Sequence, residues 1–479
     1  MARRYDLVVL GGGTAGLVSS LIAAGLGARV ALIEREHTGG DCLWTGCVPS
    51  KTLLAAASLA HRMRHADAVG LTPVEPSIDA RAVMDSVWRA ITTIAPSDSV
   101  QRLRDAGVEV ITAAGSFAGV GLVRAGEREL RYRSAIIATG SQPVLPPIPG
   151  LPESQPLSTD TLWQLRELPR TLVVLGGGAV GCELGQGLAR LGVSVTIVEM
   201  SDRLLPRDEP DAGRLLHERF KAEGIEVRVG ARVVSVHRDG TLERLMLEGT
   251  AGRESLSCER ILVAAGRAPR TDALDLYRVG VDSDGRGAVT VDASLRTSAR
   301  GVFAAGDVTA QMPFTHVAAH HARVATPNAL FHTHMTVSQL VPWVTFTDPE
   351  VASVGLSEAD ARVRWGTRAT IARRDNAELD RAITAAETSG FVKLVADPSG
   401  RLVGATIVGT GAGESIAELT AWIAGGAKLA TISRTIHAYP TFAEGAARAA
   451  DELLARRYST PTVRALARPV LTALRMLER

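Results

Sequence analysis

A chain of 479 residues carries 53 basic and 51 acidic side chains, and the resulting net charge of +2 excludes a dedicated nucleic-acid binder. Its 46% hydrophobic and 22% charged content excludes a largely disordered chain, and its length allows roughly three domains at about 150 residues each. Four cysteines are too few for a disulfide scaffold. No apolar run reaches the ~18 residues of a membrane span, and Met1-Ala-Arg-Arg leads into a strand instead of a secretory signal. A cytoplasmic location is expected.

Residues 5–10 form a short apolar strand that ends in Gly11-Gly12-Gly13-Thr14-Ala15-Gly16. An apolar helical stretch follows at 17–26, and a second strand at 29–33 delivers Glu34. Strand, glycine-rich turn, helix, strand and terminal acid make the dinucleotide-binding pattern. Gly11, Gly13 and Gly16 permit the tight turn, the approach of a pyrophosphate and close helix–strand contact. The helix N-terminus faces the phosphates. Glu34, at the second strand's end, is placed to accept the hydroxyls of an adenosine ribose.

The next segment, residues 39–51, reads GGDCLWTGCVPSK and holds Cys42 and Cys47, two of the four cysteines. A pair of buried thiols or half of a metal site are the plainer readings. Structural zinc needs four ligands, and Cys182 and Cys258 lack a matching spacing. So short a ring adds little as a staple. A disulfide that opens and closes accounts for the pair better, and Lys51 stabilises negative charge on a thiolate or a reduced flavin. No metal site is expected.

Residues 136–141 make an apolar strand with a tight turn at Thr139-Gly140, and Pro143, Pro146, Pro147 and Pro149 then mark a linker. The nucleotide pattern returns beyond it. Residues 171–175 lead into Gly176-Gly177-Gly178-Ala179-Val180-Gly181, and a strand at 195–198 ends at Glu199. Val-Val-Leu-Gly-Gly-Gly occurs verbatim in both copies. Gly176, Gly178 and Gly181 repeat the roles of the first turn. Two such sites imply two dinucleotides, most simply FAD and NAD(P)H exchanging a hydride. Glu199 accepts a free ribose 2′-OH and repels a 2′-phosphate, which favours NADH; Arg203 and Arg207 either soften that repulsion or sit on the surface.

These motifs together resemble the class I pyridine nucleotide–disulfide oxidoreductases, in particular mercuric reductase and dihydrolipoamide dehydrogenase, over about residues 4–455. The resemblance implies that Cys47 contacts the flavin and that Cys42 is the interchange thiol. It also implies that Glu183 pairs with Lys51, and that Ala179 replaces the tyrosine gate of glutathione reductase. Gly266, in the Ala264-Ala265-Gly266-Arg267 turn, closes the nicotinamide domain. Asp307, after the apolar run 301–306, binds the flavin's ribityl–phosphate region, unless it only caps the next helix. The implied fold is α/β: two Rossmann-like nucleotide-binding domains and a C-terminal α/β dimerisation domain. FAD-binding residues are expected at 1–149 and 281–340, NAD(P)-binding residues at 150–280 and dimerisation at 341–460. The family is a homodimer whose active sites are shared between subunits.

One motif departs from the family. Disulfide reductases of this group place a His before Pro-Thr, five residues ahead of a Glu, as acid and base for the interchange thiol. Here the segment reads His437-Ala438-Tyr439-Pro440-Thr441-Phe442-Ala443-Glu444, so Tyr439 stands at the His position. His437 is then either a displaced base or a structural residue. A phenol of pKa about 10 is a poor base near neutrality, where imidazole at about 6.5 is well matched. Mercuric reductase also carries this Tyr, and a soft metal ion needs thiolates and two electrons rather than a base. Against that reading, mercuric reductase has a C-terminal Cys pair, which the tail here lacks. Its N-terminal metal-binding module is not expected before Tyr5. The expected function is therefore electron transfer from NAD(P)H through flavin and Cys42–Cys47 to a metal-ion or small-molecule acceptor. Dihydrolipoamide dehydrogenase, a reductase of another disulfide or a quinone, and a non-catalytic dimeric scaffold are the alternatives.

The tail at 461–479 belongs to a basic stretch with apolar residues Val463, Leu466, Val470, Leu474 and Leu477 at helical steps. Pro469 is expected to kink this helix or divide it. Packing on the dimer and docking to a membrane surface or a protein are the two readings.

Overall fold

The computed structural model describes residues 4–249, 252–458 and 460–477; the ends of the expected first domain and of the tail, and two residues of the nucleotide domain, lie outside them. The chain is mixed α/β, with Rossmann-type nucleotide-binding units and a separate C-terminal dimerisation domain. It divides into two compact units.

The first unit comprises residues 1–64, 75–202 and 220–339. Its largest sheet places Arg4–Leu10 between Val30–Glu34 and Arg128–Ile137, all parallel, with Glu109–Thr112 outside Val30–Glu34. The long strand Arg128–Ile137 has two kinds of neighbour. Its first half pairs antiparallel with Leu122–Ala125, and its second half takes Val302–Ala304 in parallel. The near-continuous apolar run of the first strand follows from burial on both faces. Val8 and Leu10 enter one core with Ile33 and Ile137, while Leu7 and Val9 enter the other with Leu32 and Ile136.

A second parallel sheet in the same unit has the order Glu226–Arg228, Ser194–Val198, Thr171–Leu175, Arg260–Val263. An antiparallel sheet, Ala231–Asp239 with Leu242–Gly249 and Gly252–Cys258, packs on it through Val236, Leu245 and Leu247. The two glycine-rich turns thus leave equivalent places, the C-terminal ends of Arg4–Leu10 and Thr171–Leu175, where open parallel sheets bind ligands.

The second unit comprises residues 65–74, 203–219 and 340–479. Residues 203–219, within the segment expected to be nucleotide-binding, therefore group here. Its sheet is antiparallel, in the order Pro342–Thr345, Glu350–Gly355, Leu402–Gly409, Phe391–Ala396, Thr370–Asp375. One face is covered by the helices Ala412–Ala424, Leu429–Arg434 and Glu444–Tyr458. Lys393, buried in this sheet, bridges Glu209 at 3.0 Å, Asp211 at 3.2 Å and Glu358 at 3.0 Å. Those bridges fasten the 203–219 segment to the sheet, and a buried cation needs such partners to stay charged.

The chain differs from its sequence pattern in two places. The apolar run at 301–306 yields a strand only over Val302–Ala304, because Gly306 adopts φ +80° and turns the chain into the 3-10 helix Asp307–Thr309. The tail forms one helix, Pro461–Leu477, so Pro469 does not divide it, one of the two effects expected there.

Candidate active site

Glycine is sterically required at equivalent points of the two turns. A Cβ on Gly11 would lie 2.4 Å from the Ala138 carbonyl oxygen, and on Gly176 2.5 Å from that of Ala264. On Gly16 and on Gly181 it would lie 1.9 Å from the carbonyl oxygens of Gly11 and Gly176. Gly178, by contrast, borders open space, and Gly13 meets only the Gly40 Cα at 3.8 Å. Backbone that is bare on one side is what the close approach of a pyrophosphate requires.

The acids repeat as well. Glu34 accepts from the Gly12 N–H at 2.6 Å and the Glu36 N–H at 2.8 Å. Glu199 accepts from the Gly177 N–H at 2.7 Å and the Ser201 N–H at 2.7 Å. Each carboxylate is fixed against its own turn and keeps lone pairs for a ribose. A cavity of about 260 Å³ opens beside the first turn, lined by Gly11, Glu34, Arg35, Thr139 and Arg270 among others. Gly140 (φ +70°) turns the chain there, and its carbonyl accepts from the Arg270 N–H at 3.0 Å. Gly266, at φ +116°, makes the corresponding turn after Arg260–Val263.

Cys42 sits in the short helix Gly40–Trp44, and Cys47 opens the helix Cys47–Arg64. Neither is in a disulfide here. Two indoles hold the intervening turn: Trp44 Nε1 donates to the Thr38 carbonyl at 2.8 Å, and Trp163 Nε1 to that of Thr45 at 2.9 Å. Cys47 is acidified to a pKa of about 6. The hydrogen bond from Cys42 contributes most, and the Thr315 hydroxyl 3.4 Å away and the charge of Lys51 add to it against the cost of burial. Cys42 is pushed above the ordinary thiol value, first because it donates to Cys47 and then by burial. The pair is thus one thiolate and one thiol.

Lys51 Nζ meets Glu183 Oε2 at 2.8 Å, and the Glu183 side chain is only 7% exposed. Asp307 accepts from Ser141 Oγ at 2.8 Å, and burial raises its pKa. Ser141 in turn accepts from Arg267 Nε at 2.8 Å. Arg267 pairs with Asp41, the residue before Cys42, and Arg270 reaches the same carboxylate at 3.2 Å. This chain of contacts connects Asp307 to the cysteine-bearing helix. Sequence reasoning missed Asp41, Ser141, Thr315 and Trp163.

Tyr439, His437 and Glu444 lie in the second unit. His437 is enclosed, with Nε2 3.0 Å from Glu418 and Nδ1 2.9 Å from the Thr435 carbonyl. Tyr439 is exposed and donates its hydroxyl to Asp380 at 2.8 Å. That hydrogen bond, with the carboxylate's charge, raises the phenol further above its usual value. Glu444 is buried and held by Arg448 Nε at 2.6 Å. Asp380 and Arg448 went unread in the sequence, although Arg448 stands at the i+4 position on the same helix.

A family profile described as pyridine nucleotide-disulphide oxidoreductase matches residues 5–322, and its dimerisation-domain profile matches 341–450. Mercuric reductase from Streptomyces lividans is 36% identical over 452 residues, covering 92% of this chain and 94% of that protein. Dihydrolipoyl dehydrogenase from Thermus scotoductus is 35% identical over 457 residues, covering 94% and 98%. Among solved structures, the Cu(II) complex of the HOCl-induced flavoprotein disulfide reductase RclA from Escherichia coli superposes with a TM-score of 0.85 at 26% identity, covering 94% of this chain and all of that one.

The asymmetry of the thiols sets a pH dependence. Cys47 loses its proton as pH rises through about 6. In the reduced protein, ultraviolet thiolate absorbance should rise with that midpoint and vanish in Cys47→Ser. Lys51→Met should move the midpoint upward; an unchanged midpoint would remove Lys51 from the account.

Proposed function

The chain belongs to the pyridine nucleotide–disulphide oxidoreductase family, and on that premise we propose that it reduces a thiophilic metal ion at Cys42 and Cys47 with electrons from NADH. As a family member it is a homodimeric FAD- and NAD(P)H-dependent disulfide oxidoreductase. The identity of the acceptor rests on one observation: the residues standing where a disulfide reductase keeps its base hold no free base. Tyr439 is a phenol tied to Asp380, and the Glu444 carboxylate is engaged by Arg448.

The residues present fit both dinucleotides, because the backbone is bare at Gly13 and Gly178 and a fixed acid ends each second strand. In this reading Gly11, Gly13, Gly16, Glu34, Thr139, Gly140 and Asp307 hold FAD. Gly176, Gly178, Gly181, Glu199 and Gly266 hold the nicotinamide cofactor, with Glu199 favouring NADH over NADPH. FAD, when bound, supplies the two-electron carrier between nicotinamide and cysteines.

The chain's own residues do the rest. Lys51, oriented by Glu183, stabilises negative charge beside Cys47. Cys47 enters as a thiolate at neutral pH, ready to ligate a soft cation. Cys42 enters as a thiol, and metal binding itself displaces that proton to solvent. No general base is needed for this step. For Hg(II) the balance is NADH + Hg(II) → NAD⁺ + H⁺ + Hg(0). Tyr439, supplied across the homodimer, orients the incoming ion or its thiol ligands. The Cu(II) complex of the similar RclA structure adds support for a metal acceptor.

The runner-up, oxidation of a dithiol such as dihydrolipoamide, finds support in the His437–Glu418 pair. Both nitrogens of that imidazole are already engaged, which weighs against it as a mobile base.

In steady state, Hg(II) under excess thiol should drive NADH oxidation with release of elemental mercury, and Cys42→Ala should reduce it to background. NADH consumed without mercury release would reject the metal-ion reading.

A second expectation concerns the base. Tyr439→His alone should raise dihydrolipoamide oxidation little, because Glu444 stays bound to Arg448. Adding Arg448→Ala should free the carboxylate and recover about 10²-fold of the rate a placed base provides. A full gain from the single variant would show that Arg448 does not restrain Glu444.

A further inference from the structure

The dimerisation-domain match ends at residue 450, and beyond it the chain carries a 17-residue helix, Pro461–Leu477, started by Thr460, whose hydroxyl accepts from the Val463 N–H at 3.3 Å. This helix has two chemical sides. At about 100° per residue, Val463, Leu466, Val470, Leu471, Leu474 and Leu477 fall on one side, and Arg464, Arg468 and Arg475 gather within about 40° next to its Leu471 edge. Residues 461–477 include no acid. None of its residues is buried in the subunit, and Leu466, Leu474 and Leu477 are 69%, 53% and 83% exposed.

We propose that Pro461–Leu477 docks in the plane of an anionic lipid surface. Charge complementarity selects this occupant. Three guanidiniums without a carboxylate among them, set along the edge of an apolar stripe, meet lipid phosphates while the stripe enters the acyl boundary. A second copy of the helix brings three more arginines and no acid, so it leaves every cation unanswered. The dimerisation-domain match that the family shares ends at residue 450 and does not include this helix. The helix lies on the bilayer and does not cross it, since no described helix is long and apolar enough to span a membrane. In the homodimer two such helices act together, and the second contact becomes intramolecular. The inference is independent of which acceptor the enzyme reduces.

Each cation near an anionic surface strengthens binding about fivefold, so three favour anionic over neutral lipid by about a hundredfold. The test is co-sedimentation of the purified full-length homodimer with phosphatidylglycerol–phosphatidylcholine vesicles and with phosphatidylcholine alone. Pelleting should follow the anionic vesicles, weaken as salt rises, and vanish in a chain lacking 461–479 and in Leu466→Glu/Leu474→Glu. NADH oxidation should be unchanged in both variants. Equal pelleting by the truncated chain, equal pelleting on neutral vesicles, or none by the full chain would overturn the proposal. A truncation that lowers the dimer's melting temperature, with a full chain that ignores vesicles, would overturn it by assigning the helix to the subunit interface.

Discussion

The ion pair between Lys51 and Glu183 is the constraint on which the first unit depends. The Glu183 carboxylate is enclosed, and the half-exposed Lys51 ammonium meets it at 2.8 Å. The pair's two ends lie on helices distant in the sequence, one after the first nucleotide-binding repeat and one within the second. Lys51 lies one turn into the helix that Cys47 opens, and Glu183 lies one turn into the helix that follows the second glycine-rich turn. The contact joins two helices that also pack through Leu53, Leu54 and Gly187, and it fixes a positive charge beside the acidic thiol. The two partners act on Cys47 in opposite senses, Lys51 lowering its pKa and Glu183 raising it.

Around that pair the protein uses one device twice. Gly11 and Gly16 pack as Gly176 and Gly181 do, and the amides of Gly12 and Gly177 hold Glu34 and Glu199 in the same way. The duplicated device places two equivalent turns in one unit, with Cys42 and Cys47 between the repeats in the sequence. The second unit contributes a different chemistry. There the Tyr439 phenol is bound to Asp380, and the Glu444 carboxylate is held by Arg448. In the proposed reading, those pairings suit an acceptor whose own affinity for sulfur displaces the thiol proton.

What the sequence displays openly is local. Each strand end and the start of its turn are spelled by the same six residues, the first strand is apolar on both faces, and Cys42 and Cys47 stand within one short segment. Lys51 and Glu183, 132 residues apart, have no spacing that joins them, and only family resemblance proposed the pair. Thr315, Ser141 with Arg267, and Asp380 were invisible for the same reason: each is brought in by the tertiary path of a distant segment. Arg448 is the exception, since four-residue spacing from Glu444 is a helical signal that was there to read. Of the two effects expected of Pro469, a kink or a division, the division does not occur. Pro469 removes one backbone donor from the tail, and the helix nevertheless continues through it.

The measurement that tests the central claim most directly is a single turnover: reduce the FAD-loaded homodimer with NADH, remove excess reductant, add Hg(II) and count the mercury atoms released. The account predicts one Hg(0) per active site, with re-oxidation of the reduced enzyme, and none when Cys42 or Cys47 is replaced by Ser. Hg(II) that stays bound to the cysteines while the enzyme remains reduced would contradict it.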